Sequence, residues 1–401
     1  MGIPHTGTNP DPGRGPENTA LGLLRMVFPP FLLTRLGLLL VGWLAVELLG
    51  DGPTGAPATP DPGDRAPVWI ELWACWDSGW YLLIAEKGYG ALIAGDVPEP
   101  LRPTDTFGFF PLYPALIRAL STAGLPPIVA GILISNGALL LALVLLAVLL
   151  RKEFGEPVAR RAVWALLAFP TSLFFSAVYA ESLLLCCATG ALLLARGRRP
   201  LAAGLVGGLC TLSRPVGVLI VIPLFSEIIG MSQRETPRDH GRGRDLTACF
   251  LPAGAALIGF MLYGRAVTGS FSAFIERQIR WRGEPSGPWR ALQRYFEDPA
   301  LHDAHHSTID LAIAVLMIAS IPFLFRLLPR SYALYGTAMI VAPLGTTLWS
   351  FSRLAAVIFP VHVALAVATQ DRRRWFGVYL ALALPLAAIL MARYATWRWA
   401  G

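Results

Sequence analysis

From Leu139 to Leu150 every side chain is apolar, and from Leu311 to Leu328 the only charge is Arg326. Extended by their neighbours, such runs reach the roughly 20 residues that cross a bilayer as a helix. Helix is the expected form, because backbone polar groups in lipid find partners most directly within their own segment. Charged residues make up only 15% of the 401-residue chain and apolar ones 55%, with a mean hydropathy of +0.56. A soluble domain carries about 25% charged residues, so there is too little charge here to coat a water-facing surface. The net charge of +7 does not point to nucleic acid, since the basic residues fall mainly in short connections between apolar runs and so orient a membrane protein. The richness in Arg, Ala, Leu and Gly resembles GC-rich bacterial coding. Cys75, Cys186, Cys187, Cys210 and Cys249 lack CxxC spacing and a nearby histidine set, and read as small core residues.

The sequence predicts an all-α integral membrane protein with about eleven transmembrane helices. Residues 1–26 read as a disordered cytoplasmic tail and 27–401 as a single transmembrane domain. The first span covers 27–49. An outer-face loop, 50–124, then carries two amphipathic, aromatic segments too short to span. The second span, 125–150, ends in RKEFGEPVARR, whose positive charge marks the cytoplasmic side. Shorter runs at 162–178 and 181–195 follow. The run 201–230 is broken at Ser213-Arg214-Pro215, which predicts two short helices with Arg214 at the outer tip. A span at 247–267 leads to an outer loop, 268–308, and spans at 309–328, 331–349, 355–369 and 375–391 complete the count. The Asp371-Arg-Arg-Arg loop then falls inside.

Ionisable residues beside a bilayer are costly and therefore candidates for function. On the predicted outer side these are Asp77, Glu86, Glu181, Arg214 and Arg353. Asp77 lies in Trp73-Ala-Cys-Trp-Asp-Ser-Gly-Trp-Tyr, an aromatic belt around a single carboxylate. It suits either a general base acting on a sugar or lipid hydroxyl or the N-cap of an interfacial helix. Glu181 is a catalytic candidate or a helix-start acid. Arg214 and Arg353 suit forked binding of a lipid phosphate or interfacial snorkelling. His302, His305 and His306 near Asp303 lack the spacing of a zinc site, so no metal is expected, and His302 is kept as a substrate contact.

These residues fall in blocks that resemble the PIG-V family, the GPI mannosyltransferase II type of GT-C glycosyltransferase, and its bacterial relatives. The blocks are Trp76-Asp77-Ser-Gly-Trp-Tyr81 with Ile84-Ala-Glu-Lys-Gly-Tyr89, Phe109-Phe-Pro-Leu-Tyr-Pro114, the stretch from Phe169 to Ser182, Ser213-Arg214-Pro-Val-Gly217, and Ser352-Arg353 with Phe359-Pro360. The resemblance implies a GT-C-type bundle with outer-face helices, in a bacterial plasma membrane with its active site on the extracytoplasmic face. It also implies a polyprenyl-phosphate-mannose donor and a lipid-linked acceptor, a glycolipid or lipoglycan. In that scheme Asp77 is the base of a single inverting displacement. Arg214 and Arg353 neutralise the departing phosphate without a divalent metal or other cofactor, and Tyr179 with Glu181 shapes the acceptor side. Trp76, Tyr81 and Glu86 belong to the matching blocks and are further substrate-binding candidates. A transferase of another sugar, a transporter or lipid flippase, and a non-catalytic scaffold are the competing expectations.

Overall fold

The computed structural model describes residues 20–50, 66–92, 102–234, 241–297 and 307–400. Among them the chain forms helices and short 3₁₀ turns, with no strand. The first helix, α1 (Ala20–Leu49), begins before the expected span at 27 and continues through Pro29 and Pro30. The apolar run Leu21 to Leu24 extends it, and Thr34 Oγ1 donates to the Pro30 carbonyl at 2.8 Å. Residues 20–26 are thus helical rather than tail; the rest of the expected tail lies outside the described residues.

The aromatic region follows as α2 (Val68–Glu71), α3 (Ser78–Lys87), 3₁₀ turns at Tyr89–Leu92 and Pro103–Gly108, and α4 (Leu112–Thr122). The long helix α5 (Pro127–Phe154) ends at Gly155, whose φ of 83° permits the reversal into α6 (Glu156–Leu167). A helix over 162–178 was expected. Instead α6 stops at Leu167 because Pro170 disfavours helix at the residue before it, and 168–180 turn irregularly before α7 (Glu181–Arg196). Next come α8 (Pro200–Ser213), a 3₁₀ turn (Pro215–Ile220) and α9 (Val221–Arg234), the expected broken pair with Arg214 at the junction.

After α10 (Arg242–Thr268), the connection expected as a loop holds two short helices, α11 (Ala273–Arg282) and α12 (Arg290–Glu297). The chain closes with α13 (Thr308–Leu327), α14 (Arg330–Leu344), α15 (Phe351–Ala356), α16 (Phe359–Ala368) and α17 (Arg373–Ala395). Helices α5, α7, α8 and α10 pack side by side in the core. On α8, a methyl added at Gly204 would meet the Ala248 and Cys249 carbonyls of α10 at 2.5 Å, and one at Gly208 the Pro252 carbonyl at 3.1 Å. This small-residue stripe lets the two backbones touch.

Among the described residues five helices, α1, α5, α10, α13 and α17, are long and apolar enough to cross a membrane. Only 17–39% of their most apolar windows is buried inside the molecule. Leu33, Leu251 and Leu382 stand 65–70% exposed. An outward surface this apolar belongs against lipid, so the chain is a membrane protein. The other segments expected to cross are helices of 10–16 residues, or about 15–24 Å.

Candidate functional site

Three of the short helices end at one place. Glu181 opens α7, Arg214 follows the last residue of α8, and Arg353 lies within α15. The turn before α3 brings Asp77 to the same point. Arg353 Nη1 donates to Asp77 Oδ2 at 2.7 Å, and its Nε lies 3.3 Å from Glu181 Oε1, an ion pair without hydrogen-bond geometry. Arg214 Nη1 donates to the same Glu181 oxygen. The result is a chain, Asp77–Arg353–Glu181–Arg214, in which two carboxylates balance two guanidiniums. Burial alone would lower the Arg353 pKa, but Asp77 and Glu181 overcome it and raise it.

Asp77 stands at the N-cap position of α3 and Glu181 in the first turn of α7, but neither makes a side-chain cap bond. Asp77 has helical dihedrals, and Ala180 occupies the cap position of α7. The Glu181 side chain is fully buried, and its Oε2 has no hydrogen-bond partner among the described residues. Asp77 is a quarter exposed, with Oδ1 free of hydrogen bonds among the described residues.

The turn holding Asp77 is stitched from behind. The Asp77 backbone N–H donates to the Tyr179 hydroxyl at 3.0 Å, and that hydroxyl donates to the Cys75 carbonyl at 3.2 Å. Tyr394 of α17 donates to the same carbonyl. Trp76 sits at φ 59°, a left-handed conformation unusual for a bulky residue, and its ring lies against Trp397 and Trp399.

A cavity of about 320 Å³ opens in front of the ion chain. Asp77, Tyr81, Arg214 and Arg353 line it, together with Arg282 and Gln278 of α11. Tyr81 packs edge-on against Phe109 and Tyr113, and burial pushes its pKa up. The remaining wall is mostly apolar.

Helix α11 is fastened over the cavity by a second ion cluster. Fully buried Asp105 lies 2.6 Å from Arg280 and 3.3 Å from Arg277, and it accepts the Arg102 backbone N–H at 3.0 Å. The Arg277 guanidinium lies over the Trp281 ring, and burial pulls its pKa down to about 9.

Of the residues expected at the site, Asp77, Tyr81, Arg214 and Arg353 line the cavity, and Glu181 joins them through its ion pairs. Tyr179 and Trp76 support the wall from behind and do not line it. Glu86 is exposed on α3 away from the cavity. His302 and its neighbouring histidines lie outside the described residues, and no group of metal-ligating side chains forms among the described ones. Arg282, Asp105 and Asp310 escaped the sequence reading.

No family model and no curated protein matches the chain. Among solved structures it is similar to the archaeal oligosaccharyltransferase AglB from Archaeoglobus fulgidus in complex with an inhibitory peptide and a dolichol-phosphate. That match has 15% identity and a TM-score of 0.46, covering 91% of this chain and 56% of the other. The Archaeoglobus fulgidus enzyme tethered to an acceptor peptide containing the NVT sequon matches at 13% identity and TM-score 0.45, over 95% of this chain and 56% of the other. In the apo form it matches at 15% and 0.42, over 91% and 56%. The chain thus spans about half the length of the structures it matches. Likeness at this level does not decide an activity, which rests on the site's own chemistry.

Proposed function

We propose that the chain is a GT-C-type, PIG-V-like mannosyltransferase of a bacterial plasma membrane. It transfers mannose on the extracytoplasmic face from a polyprenyl-phosphate donor to a lipid-linked acceptor. The observation that carries this reading is the meeting of Asp77, Arg214 and Arg353, from three separate segments, on the wall of one largely apolar cavity, joined from behind by ion pairs of both arginines to buried Glu181. A volume of about 320 Å³ lies within the range for small-ligand sites, about 300–1,000 Å³. The mixture of apolar wall and charged end suits an amphiphile.

The ion pair with Arg353 orients Asp77 and leaves Oδ1 for an incoming hydroxyl. Asp77 takes the hydroxyl proton as that oxygen bonds to the anomeric carbon. The bond from this carbon to the phosphate oxygen breaks, and the lipid phosphate departs with the electron pair, inverting the centre. Arg214, with donors beyond the one given to Glu181, meets the charge developing on the phosphate. Tyr81 offers an aromatic face beside Asp77, while Tyr179 and Glu181 shape the acceptor side indirectly.

The test is incubation of purified protein with polyprenyl-phosphate mannose and a host lipid extract, with the product identified by mass. Asp77→Asn is expected to lose at least about a hundredfold in rate, the lower range for a general base, while eluting as folded protein. Full activity in that variant removes the mechanism. A transporter is the second reading, favoured by broken helices that end in ionised residues. Substrate counterflow in liposomes without any glycosyl transfer would select it.

A further inference from the structure

The two arginines expected to hold a phosphate are already committed. Arg353 serves two carboxylates and Arg214 serves one, so the ion chain carries no excess positive charge. A leaving phosphate brought to it would need a further cation. One stands in the same cavity. Arg282, the last residue of α11, is half-buried and lines the space with Asp77, Arg214 and Arg353. Its Nη1 donates to the Trp349 carbonyl at 3.1 Å. No carboxylate is paired with it among the described residues, and its other N–H groups make no hydrogen bond there.

We infer that Arg282 is a further phosphate ligand of this cavity, beside Arg214, and that the phosphate it holds is the head of a lipid whose chain lies along the wall formed by Val216, Phe274 and Ile275. This rests on the transferase reading and deepens it. The geometry favours a lipid over free phosphate, because Val216, Phe274 and Ile275 line the same cavity as Arg282 and Ile275 is 40% exposed. An apolar wall therefore stands beside the cation in one cavity. The Trp349 carbonyl fixes one edge of the guanidinium and leaves the fork for oxygens of the ligand. Burial, with Arg353 and Arg214 nearby, pulls the Arg282 pKa down to about 10. It stays cationic at neutral pH, in surroundings that an incoming dianion relieves. Asp105, through Arg277 and Arg280, holds α11 in place and so acts on Arg282 only indirectly.

The experiment measures binding of polyprenyl phosphate, neutral polyprenol and inorganic phosphate to the full chain in nanodiscs. Wild type is expected to bind polyprenyl phosphate in preference to polyprenol, and inorganic phosphate is expected not to displace it. Arg282→Gln should weaken polyprenyl-phosphate binding by about tenfold or more, the cost of a lost charge-assisted hydrogen bond, with polyprenol binding unchanged. Arg282→Lys keeps the charge but not the fork and should fall between. Wild-type affinity in both variants overturns the assignment of Arg282 and leaves the transferase reading standing. Failure of wild type to prefer the phosphorylated lipid sinks that reading itself. Displacement by inorganic phosphate overturns the lipid source.

Discussion

Glu181 is the hinge of the site at the scale of single residues, because one buried carboxylate oxygen faces two guanidiniums. Removing its charge leaves Arg353 with Asp77 alone and Arg214 with no carboxylate partner among the described residues. Glu181→Gln is therefore expected to cost about 3–5 kcal/mol, the range for breaking a buried pair. Adding Arg214→Gln to that variant should restore part of the loss, with a coupling of about 1–3 kcal/mol. Unfolding of both single variants and the double variant in detergent measures the cycle, and strictly additive losses would show that the two side chains do not depend on one another. Asp77, Glu181, Arg214 and Arg353 were legible in the sequence because ionised groups at the edges of apolar runs persist only with a reason. Their pairing was not, since Asp77 and Arg353 lie 276 residues apart. Arg282 was hidden for the opposite reason, being one arginine among many in a polar connection. Both acids do stand at helix starts, as the local pattern indicates, but their side chains form long-range ion pairs instead of cap bonds.

At the scale of elements, the site exists because helices stop early. The broken pair at Arg214 was readable from Ser213-Arg214-Pro215, whereas the end of α6 was misplaced by about ten residues because apolar character continues past Pro170. The end of α6 and the irregular stretch that follows need partners for their backbones, and Arg35 of α1 serves one carbonyl in each. It donates to the Ser172 carbonyl at 2.7 Å and the Leu167 carbonyl at 3.3 Å. The short α15 is held in a similar way. Asp310 Oδ1 accepts the Ser352 N–H at 2.7 Å, and Thr171 Oγ1 donates to the Ser352 carbonyl at 2.7 Å. Ser350, at φ 61°, turns the chain into this clamp. Asp310 is thus a positioning residue for the neighbouring Arg353. Asp310→Ala is expected to destabilise the protein by about 2–3 kcal/mol, since it orphans a buried N–H. It should also lower turnover with little change in donor affinity. Asp310→Asn, which keeps an oxygen for Ser352, should recover most of the stability. A melting curve and a KM-against-kcat comparison check both, and equal loss in the two variants would show that the charge rather than the clamp matters.

The whole molecule has two chemically different ends. Arg161 in the first half of α6 donates to the Gln370 carbonyl, and Arg196 at the end of α7 pairs with Glu153 of α5 and Glu227 of α9. The basic connections expected on one side of the membrane therefore lie together. The cavity is at the other end, beside α3 and α4, which pack near the start of α5. Helix α5, at 28 residues, separates the two by about 42 Å, more than the hydrocarbon thickness of about 30 Å. Short basic connections are retained on the cytoplasmic side, so the cavity should face outward. Two exposed positions report on the ends, Glu86 beside the cavity end and Arg160 at the basic end. Cys75, Cys187, Cys210 and Cys249 are buried, and the partly exposed Cys186 is replaced by Ser in both variants to keep the labelling background low. In intact cells, a membrane-impermeant maleimide should label Glu86→Cys and leave Arg160→Cys untouched until the membrane is opened. The reverse pattern would put Asp77 on the cytoplasmic side, where a polyprenyl-phosphate sugar displayed on the outer leaflet cannot reach it.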